Sequence, residues 1–330
     1  MRVIERRAVP SRPDPHPNPL PAREREKPPT PFFANNAMDL ATFLVQCLNS
    51  LQYGLLLFLV ASGLTLIFGI MGVINLAHGS FYMIGAYMAF ALSPIVAATF
   101  GGGFFSVLVV GTVLAVLLGY VLEWAFYSYL YEREHLQQVL MTYGLILVFE
   151  ELRSLLVGDD VHGVVPPDIL AGTLPLGDLM TYPVYRLFIS AVCIALALGM
   201  YFVFTRTRLG MMIRAGSTNR EMVQSLGIDI KFLYRVVFAA GVAIAALAGM
   251  VAAPVSSVYP GMGGSVLIIC FVVVVIGGIG SIRGALVAAL LIGFVDTFGK
   301  VLIPQAAGVL VYVLMALILL WKPDGLFKAG

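Results

Sequence analysis

Charge is the scarcest commodity in this 330-residue chain, and it is unevenly spread. Residues 1–38 hold seven of the twenty Lys and Arg and four of the eighteen Asp and Glu. The other 292 positions share thirteen and fourteen, so long stretches carry no ionised side chain. With 60% apolar residues and a mean hydropathy of +0.94, a soluble domain is excluded. The basic patches interleaved with aromatics that nucleic-acid binding needs are also missing. Cysteine is rare: Cys47, Cys193 and Cys270 lie scattered in apolar stretches without a CxxC pair, and read as small buried hydrophobes. Of four histidines, His16 and His162 sit in polar segments, and neither pairs with His78 at metal-ligand spacing. No metal, cofactor or catalytic cluster is read from these residues. No phosphate loop is found either. The glycines around Ser281 and Arg283 lack the Lys-Ser/Thr ending and the dinucleotide spacing, so any ATP-driven step belongs to another subunit.

What is present falls into a tail and a membrane body. Residues 1–37 contain nine of the eighteen prolines and cannot bury enough apolar surface to offset their ordering. No apolar h-region follows the early arginines before Pro31, so the segment does not read as a secretory signal. Met38 opens a natural-looking beginning, and translation is expected to start there. The alternative is a disordered cytoplasmic or regulatory arm. Residues 38–328 form the membrane domain.

A helix needs about 20 apolar residues to cross the hydrocarbon core. Candidate spans are 45–70, 77–93, 104–130, 138–157, 184–205, 233–256, 265–280, 284–299 and 306–321. The expected fold is all-α: a polytopic integral membrane protein with about eight or nine transmembrane helices, some glycine-interrupted or re-entrant. Lys and Arg in short loops set orientation. Residues 206–235 carry Arg206, Arg208, Arg214, Arg220, Lys231 and Arg235 and are expected inside. The 158–183 connection carries Asp159, Asp160, Asp168 and Asp178 without a Lys or Arg, and is expected outside. Arg133, Lys322 and Lys328 then fall inside, and Asn75–Ser80 near the cytoplasmic side.

Three stretches stand out. GVINLAHGSFYMIGAY, residues 72–87, places Asn75, His78 and Ser80 between apolar runs. It reads as an interrupted helix, with Gly72 ending one segment and Asn75 capping the next. His78 reads as a packing or capping residue; substrate contact, metal and proton chemistry are the alternatives. The polar segment 207–232 carries a T-x-x-E capping box at Thr218 and Glu221, with Gly227 at the helix C′ position. On that helix Met222, Val223 and Leu226 share about a 100° sector. Such a stripe either packs on the protein's own spans or lipid, or enters a groove on a cytoplasmic partner. Finally, Gly241, Ala245 and Gly249, and again Gly280 and Gly284, recur every four residues, the spacing that lets membrane helices approach closely. Among charges inside apolar stretches, Glu150 pairs with Arg153 by i,i+3 spacing and Asp296 with Lys300 by i,i+4. Glu123 and Glu151 join the functional candidates that intramembrane charges make by default.

"GLTLIFGIMGVINLAHGSFYMIGAYMAF", "GMMIRAGSTNREMVQSLGID" and "VVIGGIGSIRGALVAALLIGFVDT" occur in that order. Together they resemble the motifs of the branched-chain amino-acid ABC-importer permease family over about residues 40–328. The resemblance implies a bacterial inner-membrane subunit without enzymatic activity of its own. Its implied partners are a second homologous permease, two cytoplasmic ATPase subunits, a periplasmic substrate-binding protein and membrane lipid. Carried over by motif, Asn75, His78, Gly79, Ser80 and Tyr82 belong to the pathway region. Arg214, Thr218, Asn219, Glu221, Met222, Leu226 and Gly227 belong to the ATPase-coupling segment. Urea or short amides are the alternative substrates, and a secondary transporter or channel the alternative class. The Pro-rich tail departs from the family pattern.

Overall fold

The computed structural model describes residues 40–100, 103–131, 133–175 and 181–327. The Pro-rich tail and the expected start at Met38 lie outside the described residues, as do Asp178 and Lys328. The described chain is helical almost throughout. Its helices are α1 (Leu40–Met71), α2 (His78–Phe100), α3 (Phe104–Ala125), α4 (His135–Val157), α5 (Val184–Arg206) and α6 (Arg208–Thr218). They continue with α7 (Arg220–Ser225), α8 (Ile230–Ser256), α9 (Met262–Gly277), α10 (Ile282–Leu302) and α11 (Ala307–Trp321). A short antiparallel pair, β1 (Thr173–Pro175) with β2 (Thr181–Pro183), interrupts the 158–183 connection.

Among the described residues six helices, α1, α2, α3, α5, α8 and α10, are long and apolar enough to cross a membrane. The shorter α9 and α11 have 16 and 15 residues. At 1.5 Å per residue α9 reaches only about 24 Å, less than the roughly 30 Å of hydrocarbon. α4 is long enough, but Glu150, Glu151 and Arg153 interrupt its apolar character, and it is not among the six.

The centre is built on α1 and α8, which are buried along most of their length; α2, α3 and α10 pack around them. With no hydrophobic effect separating protein from lipid, close backbone approach supplies the attraction. Gly249 of α8 faces the Tyr82 carbonyl and Ala86 amide of α2, and Gly85 of α2 faces the Ala246 backbone in return. A Cβ at either position would overlap main-chain atoms. Gly241 meets Gly63 and Ile67 of α1, while Ala245 is fully buried one turn on. The small-residue stripe on α8 is therefore a packing surface towards α1 and α2, as its spacing suggests.

Gly280 and Gly284 differ from that expectation. Gly280 lies in no helix: with φ +80° it forms the turn between α9 and α10. Gly284 sits in the first turn of α10, against the backbone of Gly277 at the end of α9. Their four-residue spacing serves a tight reversal capped by Ser281, whose Oγ accepts from the Gly284 amide at 3.1 Å, and not a helix stripe.

The two ends of the bundle can be told apart. His162 of the 158–183 connection exchanges backbone hydrogen bonds of 2.8 Å with Val258, just beyond the C-terminus of α8. The basic segment that precedes α8 lies at that helix's opposite end. The chain's last described residues return to the end where α9 finishes: Leu326 donates to Ile276 at 2.8 Å and Phe327 to Gly277 at 3.2 Å.

Candidate functional site

The break between α1 and α2 is the most unusual local structure in the bundle. Gly72, with φ +67°, ends α1, and its amide donates to the Phe68 carbonyl at 2.9 Å. Only glycine enters this region without a Cβ penalty. Residues 72–75 carry no regular structure and 76–77 form a turn before α2 begins at His78. Asn75 closes that turn: its Oδ1 accepts from the Ala77 amide at 3.0 Å and from the Tyr127 hydroxyl at 2.7 Å. Asn75 thus organises the helix start through an Asx turn, two residues ahead of the N-cap position.

His78 lies deeper than orientation rules suggest. Its Nε2 is 2.9 Å from the carbonyl of Val60, eleven residues before the end of α1. Eleven residues correspond to about 16 Å of helix. The six residues 72–77 span at most about 20 Å when extended, so they climb back along α1. A Cβ on Gly63 would stand 2.7 Å from the Gly241 carbonyl and 3.0 Å from the His78 ring, which puts His78 level with the middle of α8. The 75–80 stretch is therefore at mid-bundle and not at an end, because α2 starts beside a point about two-thirds of the way along α1.

The carbonyl of Val60 can only accept, so Nε2 carries the proton and His78 is the Nε2–H tautomer. His78 Nδ1 and Asn75 Nδ2 are buried without a partner among the described residues. Asn75 and His78 are fully buried, and Ser80 nearly so. Around them Phe81 packs edge-on to His78, Phe149 and Phe238, and Tyr127 lies 4.3 Å from the Phe238 ring. Gly79 lets α2 touch α9, where its own Cβ would collide with the Gly263 carbonyl. Tyr82 lines a cavity shared with Tyr53 and Ser256.

The polar segment holds two helices where one was expected. Thr207 caps α6 by accepting from the Gly210 amide at 3.2 Å. Thr218 is the last residue of α6, and its hydroxyl donates to the Arg214 carbonyl at 3.0 Å. It does not cap α7. Asn219 does, accepting from the Met222 amide at 3.0 Å. The N-cap is thus displaced by one residue, since Asn is at least as good an N-cap as Thr and leaves Thr218 free to close α6. Met222 then stands at N3 in place of Glu221, so the expected capping box does not form. Gly227 ends α7 as expected, with φ +83°. Ile228 donates back to Val223 at 3.3 Å, the six-to-one bond of a Schellman close. The apolar stripe divides. Val223 is 2% exposed and packs inward, whereas Met222 and Leu226 are 61% and 74% exposed. Arg214 donates to the Phe204 carbonyl and tethers α6 to the end of α5.

The charges inside apolar stretches are paired, except Glu151, which is exposed. Glu123, fully buried, accepts from Arg235 at 3.2 Å and from the Tyr131 hydroxyl at 2.5 Å. Arg153 meets Glu150 at 3.1 Å and Asp159 at 2.9 Å, and Lys300 meets Asp296 at 2.5 Å. Arg153 beside Asp159 holds that carboxyl below the usual carboxylate range. Sequence reasoning does not join Tyr127, Arg235 or Arg186 to their partners, which lie 52, 112 and 137 residues away.

Fold and site together define an all-α integral membrane protein with a broken helix at its centre and a capped polar segment at one end. The chain belongs to the family described as the permease component of branched-chain amino acid transport systems, which it matches over residues 46–320. It is 30% identical over 295 residues to the high-affinity branched-chain amino acid transport system permease protein BraD of Pseudomonas aeruginosa, covering 86% of this chain and 95% of that one. The permease protein LivH of Escherichia coli is 29% identical over 302 residues, with the same coverage. A probable branched-chain amino acid transport permease protein LivH of Methanocaldococcus jannaschii is 27% identical over 296 residues, 84% of this chain and 90% of that one. Among solved structures, PsaBC from Streptococcus pneumoniae in complex with Fab overlaps 83% of this chain and 89% of its own at TM-score 0.44 and 13% identity.

Proposed function

We propose that the chain is a membrane-spanning subunit of an ATP-binding cassette importer that carries branched-chain amino acids across the bacterial inner membrane. In this reading it pairs with a second, homologous permease. Two separate ATPase subunits dock on α6 and α7 from the cytoplasm, and a periplasmic binding protein delivers the solute to the opposite end. The C-terminus then lies in the cytoplasm, on the side that Arg206, Arg208, Arg214 and Lys231 assign to the inside.

The observation that carries the reading, beside the family, is the division of the α7 stripe. Val223 anchors the helix to its own protein while Met222 and Leu226 stand out into solvent at the basic end. An apolar pair held on a capped helix of six residues, outside the span core, needs a partner surface to bury it. The paired state of Glu123, Glu150 and Asp296 fits a solute path that does not run on intramembrane proton chemistry.

The test is ATP-dependent uptake of radiolabelled leucine by proteoliposomes holding the complete complex, with its binding protein. Uptake that requires ATP and is competed by isoleucine and valine is the expected result. Uptake without the ATPase subunits, or competition by urea and not by valine, would overturn it.

A further inference from the structure

The cavity lined by Tyr82 carries charged side chains on two of its walls. It has a volume of about 390 Å³ and lies between α1, α2, α5, α8 and α10. Those walls come from the first half of α1, the start of α5 and the ends of α8 and α10. The cavity therefore opens at the end of the bundle that the 158–183 connection covers. Its volume is in the range of small-molecule sites and equals that of about a dozen waters. A single amino acid fits with part of its hydration.

Its lining is chemically divided. Arg186, in the first turn of α5, donates to Asn49 Oδ1 and has no carboxylate partner among the described residues. A guanidinium at a helix N-terminus is disfavoured by the helix dipole, and an anion arriving there gains from both charges. On the α10 wall Asp296 has one oxygen on Lys300, while Oδ1 has no protein donor among the described residues. Lys300 is itself 63% exposed and stacks over Tyr53 at 5.6 Å, so it can yield its place beside Asp296 to another ammonium. Leu56 and Val255 contribute apolar surface to the same cavity.

An unpaired guanidinium, a carboxylate with an open oxygen and an apolar wall in one cavity match the three parts of a zwitterionic aliphatic amino acid. We infer that this cavity is an amino-acid binding site within the permease itself. Arg186 takes the α-carboxylate, Asp296 the α-ammonium, and Leu56 and Val255 face the branched side chain. The inference rests on the importer reading for its ligand class, but it adds a site in the membrane subunit. Tyr82 connects this site to the broken helix, since α2 carries it from the 75–80 stretch to the cavity wall.

The experiment is cysteine protection in the assembled complex, without the binding protein. Val255→Cys is introduced with Cys47→Ser, and the rate of labelling by a small polar thiol reagent is followed. Leucine should slow labelling, whereas leucine amide, which lacks the carboxylate, should not. Arg186→Gln should raise the leucine concentration needed for protection by roughly tenfold or more, the loss of one charge-assisted bond. Arg186→Lys should restore part of it. Equal protection by leucine and leucine amide, or protection unchanged in Arg186→Gln, would overturn the site. The amide comparison needs no Arg186 variant, so it stands if that variant does not assemble. If the complex takes up leucine and leucine gives no protection, the site is wrong while the importer reading survives. If leucine protects but uptake fails, the importer reading is the one that falls.

Discussion

At His78 a single backbone carbonyl decides the chemistry. Val60 O accepts from Nε2, and no acid or second base stands near enough to share a proton with Nδ1 among the described residues. His78 therefore behaves as a donor that pins the start of α2 to Val60, about two-thirds of the way along α1. His78→Gln keeps an N–H for Val60, and transport should remain within about threefold of wild type, a change of less than 1 kcal/mol. A complete loss measured in leucine uptake would revive a proton-relay role. Tyr127→Phe removes the 2.7 Å bond to a buried Asn75 and leaves that acceptor with the Ala77 amide alone. The expected cost is about 1–2 kcal/mol of stability, read as a lower midpoint in thermal unfolding in detergent. Gly249→Val would drive a side chain into the Tyr82 carbonyl, and assembly should fail at that position before any effect on the solute path is measurable.

Among the elements, α7 is the one whose sequence signature and structure agree in kind and differ in detail. A short helix with a polar N-cap, an apolar sector and a terminal glycine was legible in residues 218–227, but its expected capping box does not form because Met222 and not Glu221 stands at N3. The cap was misplaced by one because Thr and Asn both serve, and local sequence does not say which of two adjacent caps closes the preceding helix. Asn219→Ala should cost α7 about 1 kcal/mol and weaken ATPase docking, measurable by co-purification. Replacing Glu221 by Lys together with Leu226 by Asp should abolish ATP-dependent uptake while the two permease chains still assemble. Uptake that persists would refute the coupling role. The α9–α10 reversal teaches the same lesson in the other direction: a four-residue glycine spacing is common to helix stripes and tight turns, and only φ distinguishes them.

For the whole molecule, the acidic connection and the basic segment lie at opposite ends of α8, as charge asymmetry leads one to expect. Single cysteines at Ser217 and Val165 should therefore label from opposite sides of the membrane in sealed vesicles. Labelling from one side would break the proposed topology. The 158–183 connection is tied down by Arg153 to Asp159 as well as by the bridge to Val258. Because the folded pKa of Asp159 is depressed, its contribution is complete above the unfolded value and is lost as pH falls through the folded one. Backbone protection of residues 158–163 should hold from about pH 8 to pH 5 and weaken only below about pH 4, as hydrogen exchange can measure.

Hydropathy, the scarcity of charge and three ordered motifs were enough to determine an all-α membrane permease and its family. These are properties of composition and local order, and lipid enforces them residue by residue. They also carried the i,i+3 and i,i+4 ion pairs and the small-residue face of α8, whose partners lie within one turn or whose spacing is itself the signal. Tertiary structure alone decided the depth of His78, the Asn75–Tyr127 and Glu123–Arg235 contacts, and the meeting of Arg186 with Asp296 in one cavity. Each of these depends on which helix lies beside which. In a chain of nearly uniform apolarity that choice rests on shape at glycine contacts, and shape is not written in any one segment.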